Sequence, residues 1–107
     1  MILSETELVA LFNNSKIPIY RGHAPVGQKV PFLLYHVDYN GNFGADDITH
    51  QKVPGYRLDL YNTAPDLTVR GNIETTLTNA GIFWRSDETD VPEESLFITY
   101  YYFGGLK

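Results

Sequence analysis

The chain contains no cysteine. A disulfide framework and every thiolate metal site are therefore excluded. Long apolar runs are missing as well. No window approaches the ~18 apolar residues that mark a membrane-spanning helix. The first residues have no basic segment ahead of an apolar one and read as a helix start, not as a secretory signal. Positive charge is scarce in the second half. Residues 1–57 hold five Lys/Arg and five Asp/Glu, whereas residues 58–107 hold three and eight, so the whole formal charge of −5 lies there. This balance opposes duplex binding, which needs a basic stripe to displace counterions. It suits a surface that repels DNA, or it serves solubility alone.

What is present describes an ordinary globular chain. Its 107 residues, 43% of them hydrophobic, are enough for one domain spanning 1–107 with a single core. Eight tyrosines and six phenylalanines favour strands. Leu3-Ser-Glu-Thr-Glu-Leu8 has the pattern of a capping box, with Ser4 as N-cap and Glu7 three residues later. Leu3 and Leu8 stand at the positions of a hydrophobic staple, and Leu8, Leu11 and Phe12 form an apolar stripe. The spacing predicts a short helix that ends at Asn13-Asn14-Ser15.

Ile17-Pro-Ile-Tyr20 is extended, and Pro18 marks it as an edge segment. Phe32–Tyr39 alternates, with Leu33, Tyr35, Val37 and Tyr39 on one face and Phe32, Leu34, His36 and Asp38 on the other. Tyr56–Tyr61 alternates more cleanly, setting Tyr56, Leu58 and Leu60 against Arg57, Asp59 and Tyr61. Ile48–Val53 is expected to begin this second arm, giving a long hairpin with its tip near 40–47. Thr63-Ala-Pro-Asp66 predicts a second helix over about 64–80, with Leu67, Ile73, Leu77 and Ala80 on its buried face. Gly71 weakens its interior by ~1 kcal/mol relative to alanine, and Gly81 suits the position just past its end. Ile82–Trp84 reads as a short strand and Asp87–Glu94 as an acidic loop. Leu96–Phe103 is the last strand, and aromatic residues on both its faces place it centrally or under cover on both sides. The expected fold is α+β: a mainly antiparallel sheet with two helices packed on one face, in the order α-β-β-β-α-β-β.

No motif with catalytic or metal-binding chemistry survives inspection. Asp38-x-Asn40-x-Asn42 begins like a calcium loop. Phe43 then stands where glycine is required, and Thr49 where the bidentate glutamate belongs. Gly41-x-x-Gly44 has neither a third glycine nor a following Lys-Ser/Thr, and Asp46 and Asp47 would repel phosphate. The stretch is a hairpin end in which Asn-Gly supplies positive φ. As an exposed tip, its residues Asn42, Phe43, Asp46 and Asp47 are candidates for contact with a protein partner. His23, His36 and His50 lack ligand spacing, and no serine sits in a nucleophile elbow. Asp87, Glu88 and Asp90 fit a solvated connection. Tyr100-Tyr-Tyr102 has no neighbouring Lys or Arg between Arg85 and Lys107, so it lacks the basic groove of a base-stacking platform. No catalytic residue, cofactor or metal ligand is expected, and the chain is not expected to be an enzyme.

Taken in order, residues 4–103 resemble the tail completion proteins of long-tailed phages and prophages of Gram-positive bacteria, also called tail terminator or head–tail joining proteins. The likeness lies in the succession of a short helix, Ile17-Pro-Ile-Tyr20-Arg21, Val30-Pro-Phe-Leu-Leu-Tyr35 and Asn42-Phe43-Gly44-Ala45-Asp46. Tyr56-Arg-Leu-Asp-Leu-Tyr61-Asn62 follows, then a helix from Asp66 through Ile73-Glu74 and Leu77, then Asn79-Ala-Gly-Ile-Phe-Trp84, an acidic loop and a tyrosine-rich strand. Thr75, Thr76 and Thr78 depart from the more charged second helix usual in the family. The resemblance implies a virion structural protein, made in the host cytoplasm and placed at the head–tail junction. Its subunits would form a ring, usually of six, that caps the tail tube. Its partners would be itself, the major tail protein and the head–tail connector proteins, without sequence-specific nucleic-acid binding or membrane association. In such a ring, Asp87, Glu88 and Asp90 would line an acidic lumen past which DNA slides. The nearest alternative is head completion or another minor virion role at the same junction. A small ligand-binding or enzymatic α+β domain is the reading from another class.

Overall fold

The computed structural model describes residues 2–13, 15–38, 54–63 and 67–105. It is an α+β domain in which two helices pack on one face of a five-stranded mixed sheet. The elements run α1 (Glu5–Leu11), β1 (Ile19–Arg21), β2 (Phe32–Asp38), β3 (Gly55–Asn62), α2 (Leu67–Asn79), β4 (Trp84–Val91) and β5 (Leu96–Gly104). A short 3-10 turn, Pro92–Glu94, links the last two strands. Strand order across the sheet is β1-β2-β3-β5-β4.

Local chemistry sets the boundaries. The Ser4 hydroxyl accepts from the Glu7 N–H, and the Glu7 carboxylate accepts from the Ser4 N–H, each at 3.1 Å. These bonds satisfy two of the donors that a helix start leaves orphaned. Leu3 and Leu8 are both fully buried, as a staple requires. At the other end of α2, Gly81 adopts φ +79 and donates to the Thr78 carbonyl, while Ile82 donates to that of Leu77. This is a Schellman ending, and its apolar pair, Leu77 and Ile82, lies in the core.

The alternation in β2 and β3 sorts the sheet faces. Leu33 pairs with Leu60, Tyr35 with Leu58, and Val37 with Tyr56. On the far side of β3, Leu58 meets Tyr101 and Tyr56 meets Phe103. These side chains join Leu8, Phe12, Ile73 and Leu77 from the helices in one core cluster. The Tyr56 hydroxyl satisfies itself inside that core by donating to the Leu3 carbonyl at 2.7 Å. The N-terminal segment is also tied to the sheet through Gly105, whose carbonyl accepts from the Leu3 N–H. A Cβ at Gly105 would lie 2.7 Å from the Pro54 ring, so only glycine fits that approach.

Several expectations change. The sheet is mainly antiparallel as expected, with one parallel pairing, β1 beside β2, that makes it mixed. The acidic loop is a strand: Asp87, Glu88 and Asp90 lie within β4, paired antiparallel with β5. Acidic residues disfavour strands in general. Here β4 is an outer strand, exposed from Arg85 to Asp90, where charge is tolerated and discourages stray pairing. The short strand expected at Ile82–Trp84 is thereby replaced by one that starts at Trp84. Leu67 is 77% exposed instead of buried. At ~100° per residue it lies ~120° around the helix from Ile73, off the stripe formed by Ile73 and Leu77. β5 lies between β3 and β4, as its aromatic content implied. The hairpin tip with Asn42, Phe43, Asp46 and Asp47, the arm Ile48–Val53, His50 and the start of the second helix at 64–66 lie outside the described residues.

Candidate functional site

The sheet face opposite the helices carries the most chemically distinctive cluster. Register places Leu34, Asp59, Tyr100 and Asp87 in one row across four strands. The neighbouring row is His36, Arg57, Tyr102 and Arg85, and the row on the other side is Phe32, Tyr61, Ile98 and Thr89. Neither helix of the described residues covers this face. The connection from β1 to β2 touches its margin, where the Tyr20 hydroxyl donates to the Gln28 side-chain Oε1.

Asp59 is the centre of the cluster and is only 1% exposed. Arg57 grips it with two parallel bonds, Nε to Oδ1 at 2.9 Å and Nη2 to Oδ2 at 3.0 Å. His36 Nε2 adds a third contact to Oδ2 at 3.1 Å from the adjacent strand. Burial pushes the Asp59 carboxyl above its ordinary range, and Arg57 and His36 oppose that shift without cancelling it. Burial acts to lower the Arg57 guanidinium, but Asp59, Tyr102 and Tyr100 outweigh it and raise that group. The Tyr61 hydroxyl is raised by burial first and by Asp59 next.

Aromatic rings extend the cluster. Arg57 lies over the Tyr100 ring at 5.3 Å from its centroid, and Arg85 over Tyr102 at 4.3 Å. Phe32 and Tyr61 stack at 4.9 Å with their planes 6° apart. The sequence alone hid this arrangement. No cation neighbours Tyr100–Tyr102 along the chain; the cations arrive from β3 and β4. The retrievable signal was the alternation of Arg57, Asp59 and Tyr61, which already put an ion pair and a tyrosine on one strand face.

The expected acidic site is divided by the strand geometry. Asp87 lies in the row of Asp59 and Tyr100, and its carboxylate accepts from the Glu88 N–H at 2.9 Å. Glu88 is aligned with Thr99 and bonds Arg70 of α2. Arg70 also pairs with Glu74 at 3.4 Å, and Glu74 accepts from the buried Tyr101 hydroxyl at 2.9 Å. Burial raises the Tyr101 hydroxyl, with Glu74 adding and Arg70 opposing. Glu88 thus helps anchor the helix to the sheet.

An open groove of about 580 Å³ runs beside α1, lined by Glu5, Thr6, Val9, Ala10, Asn13 and Tyr35. Its carboxylate, Glu5, is engaged by Arg21 at 2.8 Å and by the Tyr35 hydroxyl at 3.2 Å. Among the described residues, no group of three or more His, Cys, Asp or Glu side chains is placed to hold a metal ion. None of the described helices is long and apolar enough to cross a membrane. Comparison with protein-family models, with curated proteins and with solved structures finds no match to this chain.

Proposed function

We propose that the chain is a structural subunit at the head–tail junction of a long-tailed phage, a tail completion protein that joins copies of itself into a ring capping the tail tube. The observation that carries this reading on the structural side is the helix-free sheet face. It is rich in tyrosine and arginine, the residues enriched at protein interfaces and their hot spots. Its ion pair is held bidentately, so the surface is ordered before any partner arrives. This adds to the order of sequence marks shared with the family. A partner on this face would be the tail tube, the head connector or a neighbouring subunit. The same surface serves a head-completion subunit, which is the second reading.

The purified protein separates a cap from a tube subunit. Added to polymerising major tail protein of the same phage, a cap is expected to stop elongation at substoichiometric amounts and to form no filaments alone. Filaments of the protein by itself, or tubes that grow unchanged in its presence, would remove the terminator role.

A further inference from the structure

We propose that the two outer edges of the sheet dock onto each other in successive copies of this chain, β4 of one subunit against β1 of the next. The inference rests on the reading that the chain assembles with itself, and it names the surfaces that would do so. β4 pairs only with β5 and β1 only with β2, so the outer side of each has no strand beside it among the described residues. The two edges differ in charge. Residues 84–95 hold Asp87, Glu88, Asp90, Glu93 and Glu94 against Arg85 alone, whereas residues 12–37, which include β1, hold Lys16, Arg21 and Lys29 with no Asp or Glu. Arg21 is paired with Glu5, and Glu88 with Arg70. Lys16, just before β1, and Lys29, in the connection after it, remain to meet Asp87 and Asp90 of β4 and Glu93 of the turn that follows it.

This asymmetry selects the symmetry of contact. Two β4 edges would set acid against acid, so a twofold pairing of like edges is repulsive. Unlike edges attract, which gives a head-to-tail contact that closes into a ring or continues as a chain. Strand direction agrees. β1 runs with β2, β3 and β4 run against it, and β5 runs with it, so β4 and β1 have opposite senses. A copy that continues the sheet therefore presents β1 to β4 as an antiparallel neighbour, the slightly more stable arrangement. The registers carry across as well. Ile19, Leu33, Leu60, Thr99 and Glu88 share one level, and Arg21, Tyr35, Leu58, Tyr101 and Ser86 share another. Without offset, Arg21 of the next copy arrives one residue from Asp87 and two from Glu88. Lys16, which precedes β1, falls toward the end of β4 that leads into Glu93 and Glu94.

Edge charge can also serve only to block pairing, and the test separates the two roles. Sedimentation equilibrium of the full chain is run in about 0.1 M and about 1 M salt, where the screening length falls from about 10 Å to about 3 Å. Association at low salt that weakens by about tenfold or more at high salt is the expected result. An acid-edge variant, Asp87→Lys with Asp90→Lys and Glu93→Lys, should lose association, and so should a basic-edge variant, Lys16→Glu with Lys29→Glu. An equimolar mixture should regain it, because one partner then carries two basic edges and the other two acidic ones. Misfolded chains would not recover on mixing, and circular dichroism checks each variant alone. Variants that associate as tightly as the parent, a mixture that fails to recover, or a parent chain that stays monomeric at both salts would each overturn the edge contact. None of these outcomes decides the junction role, which is read from the phenotype of a phage lacking the protein.

Discussion

Replacing Arg57 by alanine is expected to destabilise the fold by about 3 kcal/mol at about pH 7, the range found when one partner of a buried ion pair is removed. Asp59, 1% exposed, would keep its burial but lose two of its three hydrogen bonds, retaining His36 alone. The same residue fixes the sign of the pH dependence. Burial already raises its carboxyl above the ordinary value, and Arg57 is first among the groups opposing that shift. Without Arg57 the upward shift grows. A carboxyl raised in the folded state contributes stability that is fully present below its unfolded pKa and lost as pH rises through its folded pKa. The deficit of Arg57→Ala should therefore narrow as pH falls from about 7 toward about 4. Urea unfolding of parent and variant at both pH values measures this. The double variant Arg57→Ala with Asp59→Ala should recover part of the loss, because no buried charge is then stranded. A deficit that is flat with pH, or a double variant worse than the sum of both singles, would mean that the ion pair does not hold this face together.

Truncating Leu58 to alanine should cost about 3 kcal/mol, within the 2–5 kcal/mol typical of a cavity cut into a packed core. Leu58 is fully buried and stands between Tyr35 and Tyr101 at the middle of the sheet's helix side. Neither tyrosine can fill the space easily, since the Tyr35 hydroxyl is bonded to Glu5 and that of Tyr101 to Glu74. The melting temperature should fall on the order of 15 °C, given ~4–8 °C per kcal/mol for domains near this size. Leu67→Ala is the control. Being 77% exposed, it should change stability by no more than about 0.5 kcal/mol. Equal effects at the two positions in a thermal melt would place the core elsewhere.

The contrast between these leucines shows which parts of the fold the sequence makes legible. Local chemistry reads well. The Ser4 and Glu7 box, the glycine past α2, and the two-residue alternation of Leu33, Tyr35, Leu58 and Leu60 each report on neighbours along the chain, and each holds in the structure. Features settled across strands read poorly. Asp87–Val91 has the composition of a loop and becomes a strand because β5 supplies its partner. The alternation of β3 assigned Asp59 to a face, but its third hydrogen-bond partner, His36, comes from one strand away. The cations over Tyr100 and Tyr102 come from β3 and β4, so a scan along the chain misses them. Composition placed the acids in the second half of the chain. Only the sheet order puts three of them, Asp87, Glu88 and Asp90, on an outer strand, with β1 and its Arg21 at the opposite edge.

The proposed assembly rests on the chemistry of the helix-free face and the charge at the edges. If the proposed function holds, the gene belongs to a phage, and the direct measurement is its deletion from that phage, with the lysate viewed by electron microscopy. A terminator's loss should leave separate filled heads and tails of uncontrolled, excessive length, restored to joined particles by the protein supplied from a plasmid. Tails of normal length beside leaking heads would contradict the terminator role and favour head completion, and fully infectious particles would contradict a place at the junction altogether.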